Sequence, residues 1–409
     1  MLSDIDVNNL IQPFEERQQK LERYVIDIIA SRVNDIGTML PSDLHKLERL
    51  YRTGSDVKAI NEAIATATNL QLKQIKKLIR EVALDTYIDV KPFYDYRRKA
   101  FIPFEQNTPL QKVVNAVSRQ TQGTYKNMSN SKVVGFVIRD RKRPGKMRFY
   151  NAAETYQTII DEAIQAVQSG VTDYGTAMRK TMKQLGESGM KTAVWESGYK
   201  QRMDTVVKRN ILNGIQQINQ EVAMVTGEQF GADGVELTAH QFPAEDHAPF
   251  QGHMFTNEEY AKLQNNEAFK DIKGNKFPAQ ERIIGQFNCR HFAYPVVLDV
   301  AKPTYTDEQL QEFIDINEKG ATLPNGKHLT GYGVVQKQNE LALKVRQYKE
   351  LQMTAQESGD EVLAKQYQVK VNQATKVYNM FNRQVASQIG LSERRDKLRV
   401  TGYKKISTK

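Results

Sequence analysis

The stretch that decides the fold consists of two segments, AHQFPAEDHAPFQGHMF at residues 239–255 and GQFNCRHFAYPV at residues 285–296. They hold the only cysteine, Cys289, and four of the six histidines in the chain. Those histidines are His240, His247, His253 and His291. This concentration of side chains that can bind metals, transfer protons or form hydrogen bonds indicates a folded unit. That unit contains either a binding site or an internal hydrogen-bond network.

Short β-strands are predicted at both edges of this stretch. Val235, Leu237 and Ala239 alternate with other residues, as in a half-buried strand. Residues 288–297 predict a second strand with Cys289 and His291 on one face, because side chains two positions apart point the same way. The four residues from Thr256 resemble a helix start with a capping box.

Three kinds of chemistry remain open for the stretch. Histidine, cysteine and aspartate side chains bind zinc, but no C-x-x-C pair and no H-E-x-x-H motif is present. Cys289 beside a histidine would form a thiol nucleophile. Glu245 and Asp246 with the histidines would suit a metal-dependent nuclease.

The favoured interpretation is a structural network, because buried polar groups need partners and a cluster supplies them mutually. No catalytic residue and no resident cofactor or metal is assigned, and zinc stays an alternative. The predicted network consists of His240, Asp246, His247, Gln251, Gly252, Asn288, Cys289, Arg290 and His291.

Long helices are predicted on both sides, because apolar residues recur there at helical spacing. The fold class is mainly α with a small α+β module, in an elongated molecule with a helical N-terminal region and a C-terminal helical hairpin. The turn of that hairpin is placed at Ser358-Gly359-Asp360. The segments are a helical N-terminal region at 1–130, a basic β-hairpin at 131–150, a helical lead-in at 151–228, the α+β module at 229–304, and C-terminal helices with a basic tail at 305–409.

The predicted β-hairpin has two arms rich in β-branched and aromatic residues around Pro144-Gly145, a turn signal. Its charges either keep an exposed hairpin soluble or contact nucleic acid or an acidic partner, and both interpretations stay open. The candidate contact residues are Arg139, Arg141, Lys142, Arg143, Lys146 and Arg148.

Composition and charge limit the environments in which the protein is expected to act. The 409 residues carry a net charge of +10 and a mean hydropathy of −0.59, which fits a helix-rich protein in polyanionic surroundings. No apolar run approaches the roughly 18–20 residues of a membrane span, and the first residues lack a signal-peptide layout. A single cysteine excludes an internal disulfide and fits a reducing cytoplasm.

The quoted residues resemble a known family. His240, the run Glu245–Gly252, and Asn288-Cys289-Arg290-His291 followed by Tyr294-Pro295 are similar to the phage minor capsid protein 2 family, which is related to the Mu F-type head-morphogenesis proteins. In that family Trp is usual where Phe250 stands, and Lys or Arg is common where His253 stands. The likeness covers roughly residues 150–403.

The resemblance implies a structural component of a tailed-phage head. Such a protein would sit at the portal vertex or capsid interior after assembly in the host cytoplasm, and would support head assembly and DNA packaging or ejection. Its partners would be the portal protein or the major capsid protein, packaged DNA, and further copies of itself in a homo-oligomer. The N-terminal region 1–130 would be a docking segment. The alternative is a DNA-acting or effector enzyme, a metal-dependent hydrolase delivered with the genome that uses the His240–His291 cluster.

Overall fold

A computed structural model describes residues 4–39, 54–169, 174–193, 200–244, 247–264, 291–357 and 359–408. Helices dominate it, as the sequence predicts. The α-helices are α1 (Asp4–Gly37), α2 (Ser55–Asp89), α3 (Lys91–Tyr96), α4 (Thr108–Ser129), α5 (Ala152–Gln168), α6 (Tyr174–Ser188), α7 (Met203–Phe230), α8 (Asn257–Gln264), α9 (Asp307–Lys319), α10 (Gly331–Glu357) and α11 (Glu361–Gln384). The strands are β1 (Val134–Arg139), β2 (Met147–Asn151), β3 (Lys191–Thr192), β4 (Gln201–Arg202), β5 (Gly234–Leu237), β6 (Met254–Thr256), β7 (Ala293–Val296), β8 (Ala321–Thr322) and β9 (His328–Leu329).

Helix α7 lies at the centre of the larger part of the molecule and packs against α1, α2 and α4. Its apolar stripe, which includes Ile211 and Ile215, is fully buried. A Cβ atom on Gly214 would lie 2.8 Å from the side chain of Thr121, so glycine lets α4 approach α7 closely. A glycine inside an otherwise regular helical pattern is a sequence signal for such a close approach.

Helix ends follow local hydrogen-bonding rules in most places. The predicted capping box is present: the Glu259 amide donates to Thr256 Oγ1 at 3.2 Å and the Thr256 amide donates to Glu259 Oε2 at 2.8 Å. Ser55 and Asp56 are residue types that commonly cap helices, but Gly54 occupies the N-cap of α2 in a left-handed conformation. Asp56 instead accepts hydrogen bonds from Arg32, which lower the pKa of its carboxyl group.

The predicted β-hairpin is confirmed as β1 and β2, which pair antiparallel from Gly135 opposite Asn151 to Arg139 opposite Met147. It belongs to a four-stranded sheet of order β2-β1-β3-β4. One hydrophobic core contains residues of α1, α2, α4, β1, α5 and α7, so the hairpin is packed into the helical body. The division into five segments stays a prediction.

A second sheet, of order β6-β5-β7, forms the small module after α7. Both pairings are antiparallel, and β7 packs on α7. The prediction that His291 lies within a strand is wrong, since β7 starts at Ala293. The reason is local: the Phe292 amide donates to the Thr238 hydroxyl at 2.9 Å instead of to a backbone carbonyl.

The predicted C-terminal helical hairpin is also confirmed. Helices α10 and α11 pack along each other, and Asp360 caps α11 by accepting a hydrogen bond from the Leu363 amide at 2.9 Å. The chain then returns to α1, where Arg23 donates to the Thr401 carbonyl at 3.0 Å. Among the described residues, no helix combines the length and the apolar character that crossing a membrane requires.

Candidate functional site

Three loops of the small module bring His240, His247 and His291 together. His240 follows β5, His247 opens the turn that leads to β6, and His291 lies two residues before β7. The turn is held by backbone hydrogen bonds, including one from the Gln251 amide to the His247 carbonyl at 3.2 Å. The order of strands in the sheet therefore makes neighbours of residues that lie far apart in the sequence.

The imidazole rings of the cluster pack on one another. The rings of His240 and His291 are stacked, with centroids 4.4 Å apart and an interplanar angle of 23°. The ring of His247 meets that of His291 edge-on at 5.2 Å and 85°. His291 is therefore the centre of the group, and it is only 2% exposed.

Gln251 links two of the three loops through one carbonyl oxygen. Its Oε1 accepts a hydrogen bond from the His240 amide at 3.1 Å and lies 3.2 Å from Nε2 of His291. An amide oxygen only accepts hydrogen bonds, so Nε2 of His291 must carry its proton. Gln251 is buried, and this fixes both the tautomer and the ring orientation of His291.

The environment keeps His291 neutral. Burial lowers the pKa of His291 well below its usual value, and the neighbouring His240 and His247 lower it further. A charged imidazolium at this position would be desolvated and would face two further imidazoles. His291 is thus neutral near neutral pH and donates a hydrogen bond to Gln251.

Gly252 is required at the end of the turn. Its φ of +74° is left-handed, and a Cβ atom would come within 2.3 Å of the Leu310 side chain on α9. Both conditions favour glycine, because a larger residue would be strained and would push α9 away. Gly252 therefore joins the cluster to the C-terminal helices.

The remaining motif residues divide into two groups. His253 is exposed and lies outside the cluster, because its backbone carbonyl accepts the Leu237 amide at 3.0 Å in the sheet. Asp246, Asn288, Cys289 and Arg290 lie outside the described residues. Of the nine predicted network residues, the structure brings His240, His247, Gln251, Gly252 and His291 together.

The arrangement of the three imidazole rings does not suit metal binding. A metal bound by two imidazoles lies in the plane of both rings about 2.0–2.1 Å from each nitrogen. The stacked rings of His240 and His291 cannot meet this condition, and Nε2 of His291 is already bonded to Gln251. Within the described ranges, no group of three His, Cys, Asp or Glu side chains is placed to hold one ion.

Comparison with known families decides the identity of the chain. The model of the family described as phage minor capsid protein 2 matches residues 3–381. The chain belongs to this family. It is therefore a minor capsid protein, a structural component of a phage virion.

The family match also extends the resemblance seen in the sequence. It begins at residue 3 and so includes the N-terminal helices, where the sequence alone shows only helical periodicity. The fold of this minor capsid protein is likewise as the sequence predicts, mainly helical with a small β module. Comparison with curated proteins and with solved structures gives no match.

The basic hairpin tip of the minor capsid protein is partly neutralised by its own neighbours. Arg141 lies 3.3 Å from Asp161 and from Glu162 on α5, and Arg143 lies 2.7 Å from the buried Asp140. Arg148 stacks over Tyr150 at 5.1 Å. The six predicted contact residues are all exposed: Arg139, Arg141, Lys142, Arg143, Lys146 and Arg148.

A buried ion network is the feature that the sequence did not reveal. Arg202 lies 3.4 Å from Glu22 on α1, 3.2 Å from Glu350 on α10, and 3.4 Å from Asp204 at the start of α7. In the sequence Arg202 lies beside the apolar stripe of α7, where a charged side chain is expected to be exposed. No local pattern indicates that it is buried. It joins three helices that are far apart in the chain.

Burial and charge act against each other in this network. Burial raises the pKa of Glu350 to about 7 and also raises that of Glu22, although Arg202 lowers both. Burial alone would raise the pKa of Asp204, but Arg202, Arg346 and other partners bring it below the usual value. The network therefore depends on Arg202 to hold its carboxylates in a desolvated position.

Proposed function

We propose that this minor capsid protein docks on the portal or on the inner capsid surface of a tailed-phage head and supports head assembly and DNA packaging or ejection. The observation that carries the proposal is the family match over residues 3–381. The partners are the portal protein, the major capsid protein, or both, and packaged DNA. Assembly takes place in the host cytoplasm, and the finished site is the capsid interior at the portal vertex, where several copies can associate.

The geometry of the histidine cluster supports a structural role for the small module. His291 is buried, neutral and bonded to Gln251, and Gly252 fits closely against Leu310. These contacts connect the module to the C-terminal helices and leave His291 without solvent access. In this proposal the motif is the folding core of the module and positions the surfaces that dock.

The proposal is tested by replacing the gene in the phage with a tagged copy and purifying both DNA-free procapsids and filled heads. We expect the protein in both particles, in fewer copies than the major capsid protein, with chemical crosslinks to the portal or to the inner capsid surface. Absence of the protein from both particles, with heads of normal number and DNA content when the gene is deleted, would overturn the proposal.

The second candidate function is a metal-dependent hydrolase, for which the three neighbouring histidines are the specific observation. Metal content separates the two candidates. We expect no stoichiometric zinc in the purified protein, and no difference between His247→Ala and the matched control His253→Ala, which alters an exposed histidine outside the cluster. One zinc per chain that is lost in His247→Ala and kept in His253→Ala would favour the hydrolase.

A further inference from the structure

The outer face of α11 carries an exposed apolar stripe, formed by Val362, Val369, Val377 and Met380. These side chains are 66%, 42%, 51% and 44% exposed. With about 100° between successive helical residues, Val362, Val369 and Met380 lie within about 20° of one line, and Val377 lies about 60° to one side. The four residues therefore form an apolar ridge along most of the helix, interrupted by the exposed Gln366 and Gln373.

A row of cations runs beside this ridge. Lys365, Lys376 and Arg383 are exposed and fall about 40–60° from the apolar line, all on the side opposite Val377. Glu361, the first residue of α11, is the only acidic residue in the helix. The outer face thus combines an apolar centre with charge of a single sign.

Packing within the chain does not require this ridge. The opposite face of α11, which includes Tyr367, Val371 and Tyr378, is buried, and the helix already packs along α10. Single exposed apolar residues are ordinary, but an aligned group of them beside polar residues marks an interaction surface. The ridge is therefore free for a partner.

We propose that the outer face of α11 is the surface with which the minor capsid protein docks on another head protein, at an acidic surface that carries an apolar groove. This inference rests on the proposed function and specifies where the contact lies. The apolar ridge would fill the groove, as an amphipathic helix does in helix-in-groove recognition. The cations would face carboxylates at the edge of the groove and steer the encounter.

Charge and side-chain chemistry favour this partner over others. A second copy of the same face would place cations against cations, which opposes association. A nucleic acid presents phosphates, which would suit the cations but would leave the four apolar side chains in water. A lipid surface is usually bound through Trp, Phe and Leu side chains, whereas this ridge has only valine and methionine.

The test compares variants for incorporation into purified heads, measured as copies per portal by quantitative mass spectrometry. One variant reverses the cation row with Lys365→Glu, Lys376→Glu and Arg383→Glu, and a second replaces the ridge with Val369→Ser and Met380→Ser. The matched control makes the same change of net charge outside α11 and outside the N-terminal region, with Lys302→Glu, Lys319→Glu and Lys327→Glu, which alter exposed residues. We expect both α11 variants to fall about tenfold or more in copies per head, with the control unchanged.

A second measurement does not depend on the folding of the variants. A benzophenone photo-crosslinking residue is placed at position 369 in the otherwise unchanged protein, and heads are irradiated after assembly. We expect crosslinks to an acidic segment of the portal or major capsid protein. Crosslinks to a second copy of this chain, to DNA or to lipid, or no crosslinks in heads that contain the protein, would overturn the inference.

The two proposals fail in different ways. If the unchanged protein is missing from heads, the proposed function is wrong. If the unchanged protein is present and both α11 variants enter heads at the same level, only the assignment of the docking surface is wrong.

Discussion

Replacing Arg202 with methionine is the most informative single change that the structure suggests. Methionine keeps the unbranched stem of the side chain as far as about the Nε position, and it removes the charge that faces Glu22, Asp204 and Glu350. The side chain of Arg202 is 13% exposed, so water cannot replace the lost partner for these carboxylates.

The burial of Arg202 sets the expected loss in the free energy of unfolding. Removing one partner of a buried ion pair costs about 3–5 kcal/mol, because an uncompensated buried charge remains. The matched control is Arg80→Met, in which the partner is Glu105 and the two side chains are 49% and 63% exposed. An exposed pair contributes only about 0–1 kcal/mol, so Arg80→Met should barely change the free energy of unfolding.

The loss in Arg202→Met should depend on pH. Glu350 has a folded-state pKa of about 7, above its usual 4.5, so the stability linked to this group is fully present below about 4.5 and is lost as pH rises through about 7. Without Arg202 the pKa of Glu350 and Glu22 should rise further. The destabilisation should therefore be larger near pH 8 than near pH 5.5, where Glu350 holds its proton in the folded state.

Denaturation by guanidinium chloride, followed by circular dichroism at pH 8 and pH 5.5, measures these differences. Hydrogen exchange should also show faster exchange in α10, because the network joins that helix to α1 and α7. The double variant of Arg202→Met with Glu350→Gln should recover part of the loss. A loss no larger than that of Arg80→Met, or a loss that is equal at both pH values, would contradict this role of Arg202.

Three further outcomes are expected. Gly252→Ala should lower the free energy of unfolding by more than the control Gly326→Ala. Both glycines have a positive φ, but only Gly252 faces a close neighbour. Equal losses of about 1 kcal/mol in thermal or chemical unfolding would contradict this. Because the folded-state pKa of His291 lies below its usual 6.5, the stability linked to it is present above about pH 6.5 and is lost as pH falls towards the folded value. The protection of amides in β5 and β7, corrected for the intrinsic exchange rate at each pH, should therefore fall between pH 7.5 and 5, and pH-independent protection would contradict this. If the hairpin tip contacts DNA, Lys142→Glu with Lys146→Glu should weaken DNA binding and reduce its dependence on salt. A titration of DNA binding from low to high salt measures both effects. Unchanged DNA binding would exclude the tip as a contact.

Elements with a local signal could be predicted from the sequence. The helical hairpin after residue 330 shows its apolar spacing and its turn directly, and Asp360 supplies an ordinary cap. The capping box at Thr256 and the close approach at Gly214 likewise depend on a few adjacent residues or on one conspicuous glycine. In each case the physical cause lies within the segment itself.

Features that depend on distant segments could not be predicted. The burial of Arg202 is caused by α1 and α10, which meet it from opposite ends of the chain. The histidine cluster was recognisable as a group, but its membership was not. The His253 carbonyl pairs within the sheet and its side chain is exposed, whereas the buried ring of His291 donates a hydrogen bond from Nε2 to Gln251 Oε1.

The return of the chain to α1 affects when this protein can finish folding. The bonds of Arg23 and Gln19 to Thr401 join positions 378 and 382 residues apart. At a translation rate of about 5–20 residues per second, α1 leaves the ribosome roughly 20–80 seconds before this partner exists. Until then Arg23 and Gln19 on α1 lack their contacts with Thr401. A chain that stalls before residue 401 therefore lacks contacts both in its N-terminal helix and in its C-terminal segment.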